Sequence, residues 1–154
     1  MTATNTPFTS ASDLSRYIPF LMTRLSNRWA TNQNTALAEL GLNGTMFRIL
    51  ASLSAYDHLT INQLSTLSVT EQSTTSRTVE QLVSSGHVER RADATDQRVR
   101  TVVLSQKGRR TLHRITPLIS DLYRDLLRDI PPSDLETCIT VLKRMADNIG
   151  ESGL

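Results

Sequence analysis

A chain of 154 residues, 38% hydrophobic and 21% charged, can bury one modest core, so one structural domain is expected. No apolar run approaches the ~20 residues that a bilayer-spanning helix needs, which argues against a membrane protein. The lone Cys138 excludes an internal disulfide framework and a cysteine metal knuckle. The formal charge of +2 hides an uneven distribution. Between Gly86 and Arg110, seven cations (Arg90, Arg91, Arg98, Arg100, Lys107, Arg109 and Arg110) stand against Glu89, Asp93 and Asp96, leaving the remainder mildly acidic. Such a segment is the footprint of a polyanion binder, because counterions released from phosphates favour the contact.

In chain order, residues 1–12 are rich in Thr and Ser and lack the basic head and apolar middle of a secretory signal, so they read as a flexible tail of a cytoplasmic protein. Leu14, Tyr17, Ile18, Leu21, Met22, Leu25 and Trp29 then recur at helical spacing, predicting one long amphipathic helix over 13–40 that starts or kinks near Pro19. Gly41 ends it. Asn43 can cap a second helix carrying Met46, Phe47, Ile49, Leu50 and Leu53. Asp57-His58 reads as a turn. Thr60 and Gln63 fit a capping box for a short helix buried through Ile61, Leu64 and Leu67. Thr70 can cap the next helix, Glu71 to Ser85, anchored by Val79, Leu82 and Val83 and stopped by Gly86.

His87 to Arg91 and Val99 to Leu104 have the β-branched look of two strands joined by a polar turn, a hairpin with a basic tip. Ser105 can cap a helix that carries Leu112, Ile115, Leu118, Leu122 and Leu126 to about Asp129, with Pro117 as a kink. Pro131-Pro132 breaks the chain. Ser133 and Glu136 look like a capping box for a last helix, in which Cys138 reads as a packing residue.

The fold class is thus mainly α with a small β-hairpin: a winged helix-turn-helix over 41–104, flanked by long apolar-striped helices over 13–40 and 105–154. Those flanking stripes have no obvious partner within the chain, and the economical solution is a homodimer. Two copies would present paired reading helices to successive major grooves of double-stranded DNA, which implies a pseudo-palindromic operator.

Gln72, Ser73, Thr74, Ser76 and Arg77 form a polar, hydroxyl-rich start to the reading helix, with poor helix propensity but good chemistry for base edges and phosphates. Arg77 is the preferred base or phosphate contact. Thr75 and Thr78 fall on the Val79 and Leu82 side and are expected to pack. Arg90, Arg91, Arg100, Lys107 and Arg109 are expected to hold phosphates without reading sequence. His58, His87 and His113 are scattered, with no metal-ligand spacing, phosphate loop or nucleophile elbow, so neither an enzyme, a metal site nor a cofactor is expected. The alternative to DNA binding is a winged-helix protein-interaction module whose basic wing meets an acidic partner.

The run Asp93-Ala94-Thr95-Asp96-Gln97-Arg98, followed by Val102-Val103-Leu104-Ser105-Gln106-Lys107-Gly108-Arg109, resembles the wing signature of the MarR (multiple antibiotic resistance regulator) family. Arg77 through Gly86 to Arg90 is similar to that family's reading helix and first wing strand. His87 stands where a leucine is usual and Gln97 where an arginine is common. The resemblance implies a transcription regulator in which Asp96 orients Arg98 as it enters the minor groove. It also implies a repressor released by a small effector, often an aromatic or phenolic anion, bound between the dimer helices and the winged region. Arg24, Arg28, Trp29, Met46 and Phe47 are the candidate lining residues.

Overall fold

The structure, a computed structural model, describes residues 11–92 and 100–150. The described residues form seven helices and a three-stranded sheet: α1 (Ala11–Arg16), α2 (Ile18–Ala38), α3 (Gly44–Tyr56), β1 (His58–Leu59), α4 (Ile61–Ser68), α5 (Gln72–Ser84), β2 (Val88–Ala92), β3 (Arg100–Leu104), α6 (Gln106–Leu126) and α7 (Pro132–Asn148). None of these helices is long and apolar enough to cross a membrane. The chain divides into two compact units, one up to Ile119 and one from Ser120.

Local chemistry sets most of the boundaries. The single helix expected over 13–40 is instead α1 and α2, separated at Tyr17, whose backbone is extended. Pro19 lies in the first turn of α2, where its missing N–H forfeits no helical bond, so the proline starts a helix and does not bend one. At the far end, Leu42 N–H reaches back to Leu37 O at 3.2 Å around Gly41. Asn43 caps α3 by accepting from Met46 N–H at 3.0 Å. The Thr60–Gln63 capping box closes as expected, with Gln63 N–H on the Thr60 hydroxyl at 3.3 Å and Thr60 N–H on Gln63 Oε1 at 2.9 Å.

Two other caps do not form. The Thr70 cap is not made because the helix starts one residue later, with Glu71 as an N-cap that makes no side-chain bond, and the Thr70 hydroxyl pairs with Ser68 Oγ at 2.6 Å. Before α7, Pro131 is the N-cap and Pro132 the first helical residue, which places Ser133 inside the helix. α6 runs through Pro117 and ends at Leu126.

The sheet order is β1-β3-β2, antiparallel throughout, with Val88 opposite Leu104 and Ala92 opposite Arg100. β1 replaces the expected turn at Asp57-His58. Asp57 alone makes the turn, at φ 60°, and His58 and Leu59 then pair with Val103 and Val102.

In the first unit, Leu37, Ile49, Leu50, Leu53, Leu64, Val79, Leu82 and Ile115 are fully or almost fully buried, and Val88, Val102 and Leu104 close the same cluster from the sheet. Each such side chain contributes roughly 1.5–3 kcal/mol by leaving water. Leu67 and Val83, expected as anchors, are 39% and 38% exposed; Ser68 joins Leu64 in the buried positions on α4, and Thr75 and Thr78 join Val79 and Leu82 on α5. In the second unit Ala146 is buried, whereas Tyr123, Leu126, Ile139, Leu142 and Ile149 are exposed. Cys138 is exposed as well, contrary to the packing role expected of it.

The junction between the reading helix and the wing is the tightest point of the first unit. Gly86, at φ 77°, ends α5, and His87 N–H bonds to Leu82 O at 2.8 Å. Ser105 N–H donates to His87 O at 3.0 Å, its hydroxyl donates to Gly86 O at 2.6 Å with His87 O further off at 3.0 Å, and the same hydroxyl caps α6 by accepting from Gly108 N–H at 3.0 Å. A Cβ on Gly108 would stand 2.1 Å from His87 O. Gly108→Ala is therefore expected to cost about 1–3 kcal/mol by forcing α6 off β2. Chemical denaturation checks this, and an unchanged midpoint would contradict the packing described.

His87 itself is buried, and its Nδ1 lies 2.7 Å from Ser85 Oγ. Burial, and secondarily the Lys107 charge, hold its pKa below the ordinary imidazole value. The unfolded chain therefore takes up the proton first as pH falls. Stability is full above about pH 6.5 and declines as pH drops through the lower folded pKa. His87→Leu is expected to flatten that acid decline in urea midpoints; equal pH dependence in both proteins would show that His87 is not its source.

Candidate nucleic-acid interface

α4 and α5 form the helix-turn-helix, and their turn is fastened from α3. Arg48 donates from Nε to Ser68 O at 2.8 Å and from Nη2 to Thr45 Oγ1 at 3.3 Å, and burial lowers its pKa. Val69, in the turn, adopts φ 52° and is 80% exposed. Sequence reading passed over Arg48; its signal is a lone cation inside an otherwise uncharged helix.

α5 is two-faced. Thr75, Thr78, Val79 and Leu82 are buried, and the two threonine hydroxyls return to the helix by donating to Glu71 O and Thr74 O at 3.1 and 2.8 Å. The opposite face carries Gln72, Ser73, Thr74 and Arg77, all exposed, with Ser76 half-buried. Because no side chain caps α5, its first N–H groups and the positive end of its dipole remain open to an anion. Glu80, Gln81 and Ser84 continue this face and, with Arg77 and Ser85, line a shallow groove. Sequence reading missed these three because it stopped at Arg77, although their spacing of three, four and seven residues from it marks the same face.

The wing strands flank this helix. Arg90, Arg91 and Arg100 are exposed on β2 and β3. Arg91 pairs with Glu89 at 2.9 Å, and Arg90 approaches Glu80 of α5 at 3.7 Å. Asp96, Gln97 and Arg98, expected at the tip, lie outside the described residues. Lys107 Nζ donates to Ser85 O at 2.5 Å, a cation set on the C-terminal carbonyls of α5, and Arg109 Nη2 donates to Leu104 O at 3.3 Å. The sequence-expected cations thus divide into three on the strands and two that also brace backbone beneath them.

The candidate effector residues lie on α2 and α3. Arg24 and Arg28 are exposed and Trp29 is half-buried, with the Arg24 guanidinium 5.6 Å from the Phe20 ring centre. Met46 and Phe47 are half-buried and packed on the core.

Comparison with known proteins agrees with this geometry. The MarR family model matches residues 40–99. A MarR family transcriptional regulator from Silicibacter pomeroyi is 45% identical, with 92% of this chain and 95% of that one covered and a TM-score of 0.84. Two more distant structures share the fold. A mutant MarR from E. coli complexed with operator DNA is 22% identical, covering 83% of this chain and 92% of that one, with a TM-score of 0.76. Bordetella bronchiseptica BpsR, whose DNA binding is regulated by 6-hydroxynicotinic acid, is 18% identical, covering 86% of this chain and 95% of that one, with a TM-score of 0.78. A winged helix-turn-helix with a polar reading face and this degree of likeness to an established member places the chain in the MarR family of transcriptional regulators.

Proposed function

We propose that this regulator binds a pseudo-palindromic operator as a homodimer in the cytoplasm, and represses until a small aromatic or phenolic anion releases it. The observation that carries the DNA-binding half is the face of α5: exposed hydrogen-bonding side chains from Gln72 to Arg77 on a helix whose other side is fully engaged in the core. In this reading Gln72, Ser73, Thr74, Ser76 and Arg77 meet base edges in the major groove. Arg90, Arg91, Arg100, Lys107 and Arg109 hold phosphates, and Asp96 and Arg98 form the minor-groove probe of the wing. The E. coli relative's complex with operator DNA supports this role for the fold. Catalysis has no part in it; regulation works by binding.

The homodimer is supported by apolar side chains that each unit leaves in water. Ile18, Leu21, Met22 and Leu25 on α2 are 45–56% exposed, and Leu142 on α7 and Ile149 just beyond it are 40% and 85% exposed. Residues 13–40 and 105–154 would then be the dimerisation helices. An effector held by Arg24 and Arg28 beside Trp29, Met46 and Phe47 would act by favouring a dimer whose two α5 helices no longer match successive major grooves, about 34–36 Å apart. The regulation of BpsR by an aromatic acid supports that class of ligand.

Duplex binding is expected to weaken steeply as salt rises. Arg77→Ala should cost about 1–3 kcal/mol for a base contact, and Arg98→Ala should weaken binding while leaving the melting temperature in place. No duplex affinity at low salt would sink the DNA reading; an unchanged affinity in Arg98→Ala would remove the wing from it. Sedimentation should give a dimer at micromolar concentration, shifted to monomer by Leu25→Glu, and a wild-type monomer at every concentration would end the dimer proposal.

A further inference from the structure

The face that α5 would turn to DNA carries a carboxylate that neither packing nor phosphate contact explains. Ser73, Arg77, Glu80 and Ser84 follow one another at helical spacing opposite the buried Thr75, Thr78, Val79 and Leu82. The Glu80 side chain is 64% exposed and helps line the shallow groove with Arg77 and Gln81. Its approach to Arg90 at 3.7 Å, between two exposed side chains, is of the kind worth about 0–1 kcal/mol, so structure does not require it. A negative charge here opposes every duplex through its phosphates, whatever the sequence. It becomes favourable only where the groove offers a donor; of the two amino groups there, adenine N6 stands beside the acceptor N7, which repels a carboxylate, whereas cytosine N4 has no such acceptor on its own base.

We propose that Glu80 is a specificity-determining residue: its carboxylate accepts a hydrogen bond from a cytosine amino group in the operator, one helical turn along from the base pair met by Arg77, and penalises duplexes that lack it there. Repulsion from the wrong partner combined with one matched bond to the right one is how a binding face gains selectivity at little cost in its best complex. The inference rests on the DNA-binding reading of α5.

Selection of a random duplex library with the full-length protein tests both, followed by affinities for the selected site and for mixed-sequence DNA. Wild-type protein should enrich a motif with a cytosine that Glu80→Ala no longer requires, the preference at that base pair falling about 5- to 100-fold, and Glu80→Ala should bind mixed-sequence DNA more tightly. Glu80→Gln should shift the same position toward adenine, the base that a glutamine amide matches. Arg90→Gln should keep the cytosine. An unchanged motif in both Glu80 variants would overturn the proposal, as would an equal loss of cytosine in Arg90→Gln, which would make Glu80 a positioning residue for Arg90. Arg77→Ala in the same selection separates the two readings: loss of the motif there with no effect at Glu80 leaves DNA recognition standing and removes Glu80 from it. Enrichment of no motif by wild-type protein would remove both.

Discussion

The carbonyl oxygen of His87 is where the reading helix, the wing and the following long helix are joined. It accepts from the N–H of Ser105, whose hydroxyl reaches the preceding Gly86 O at 2.6 Å, while α6 packs against it at Gly108, and Leu82 O holds His87 N–H on the other side. Moving any one of these elements breaks bonds made by the other two. Lys107 adds a fourth tie by reaching Ser85 O, so the C-terminal end of α5 is fastened by side chains from outside its own helix. In the proposed DNA complex this matters, because a displacement of about 1 Å at the base of α5 would move every base-edge contact along it.

The other end of α5 is held differently. Val69 takes a left-handed backbone at φ 52°, which costs a β-branched residue roughly 1–2 kcal/mol, and it is exposed enough to regain little by packing. The turn persists because its neighbours fix it: Arg48 grips Ser68 O, and Ser68 pairs with Thr70 while also donating to Leu64 O at 2.6 Å. α5 starts at Gln72 with Glu71 as an N-cap that offers no side-chain bond, so its first N–H groups are left for another acceptor, which in the proposed DNA complex would be a phosphate oxygen.

What could be read from the residues follows this distinction between local and distant determinants. The Thr60–Gln63 box and the Asn43 cap depend on groups three residues apart, and both formed as expected. The Thr70 cap is equally plausible from spacing, but the helix starts one residue later, so that Glu71 stands in the capping position. Strand β1 is only two residues long and exists because β3 lies beside it, so no pattern around His58 announces it. The break at Tyr17 was half legible: Pro19 marked a discontinuity, and the preference of proline for a first helical turn chose its form. For the site, the hydroxyl-rich run of α5 stood out because folding does not need it. Glu80 did not, since acidic residues on an exposed helix face are ordinary until the neighbouring cations and the direction of the face are known.

Leu67 and Val83 show why the apolar pattern overstated the core. On a helix as short as α4, one turn can face α3 and α5 while the next looks outward, and an interior position there went to Ser68, whose hydroxyl is satisfied within its own helix. Thr75 and Thr78 do the same in α5. Three buried hydroxyls that bond their own backbones make this part of the core less apolar without leaving a polar group unsatisfied. They also let α5 come closer to α3 and α4 than larger side chains would allow. The same short residues that weaken α5 as an isolated helix therefore seat it in the domain, and its stability comes from Val79, Leu82 and the ties at either end more than from its own propensity.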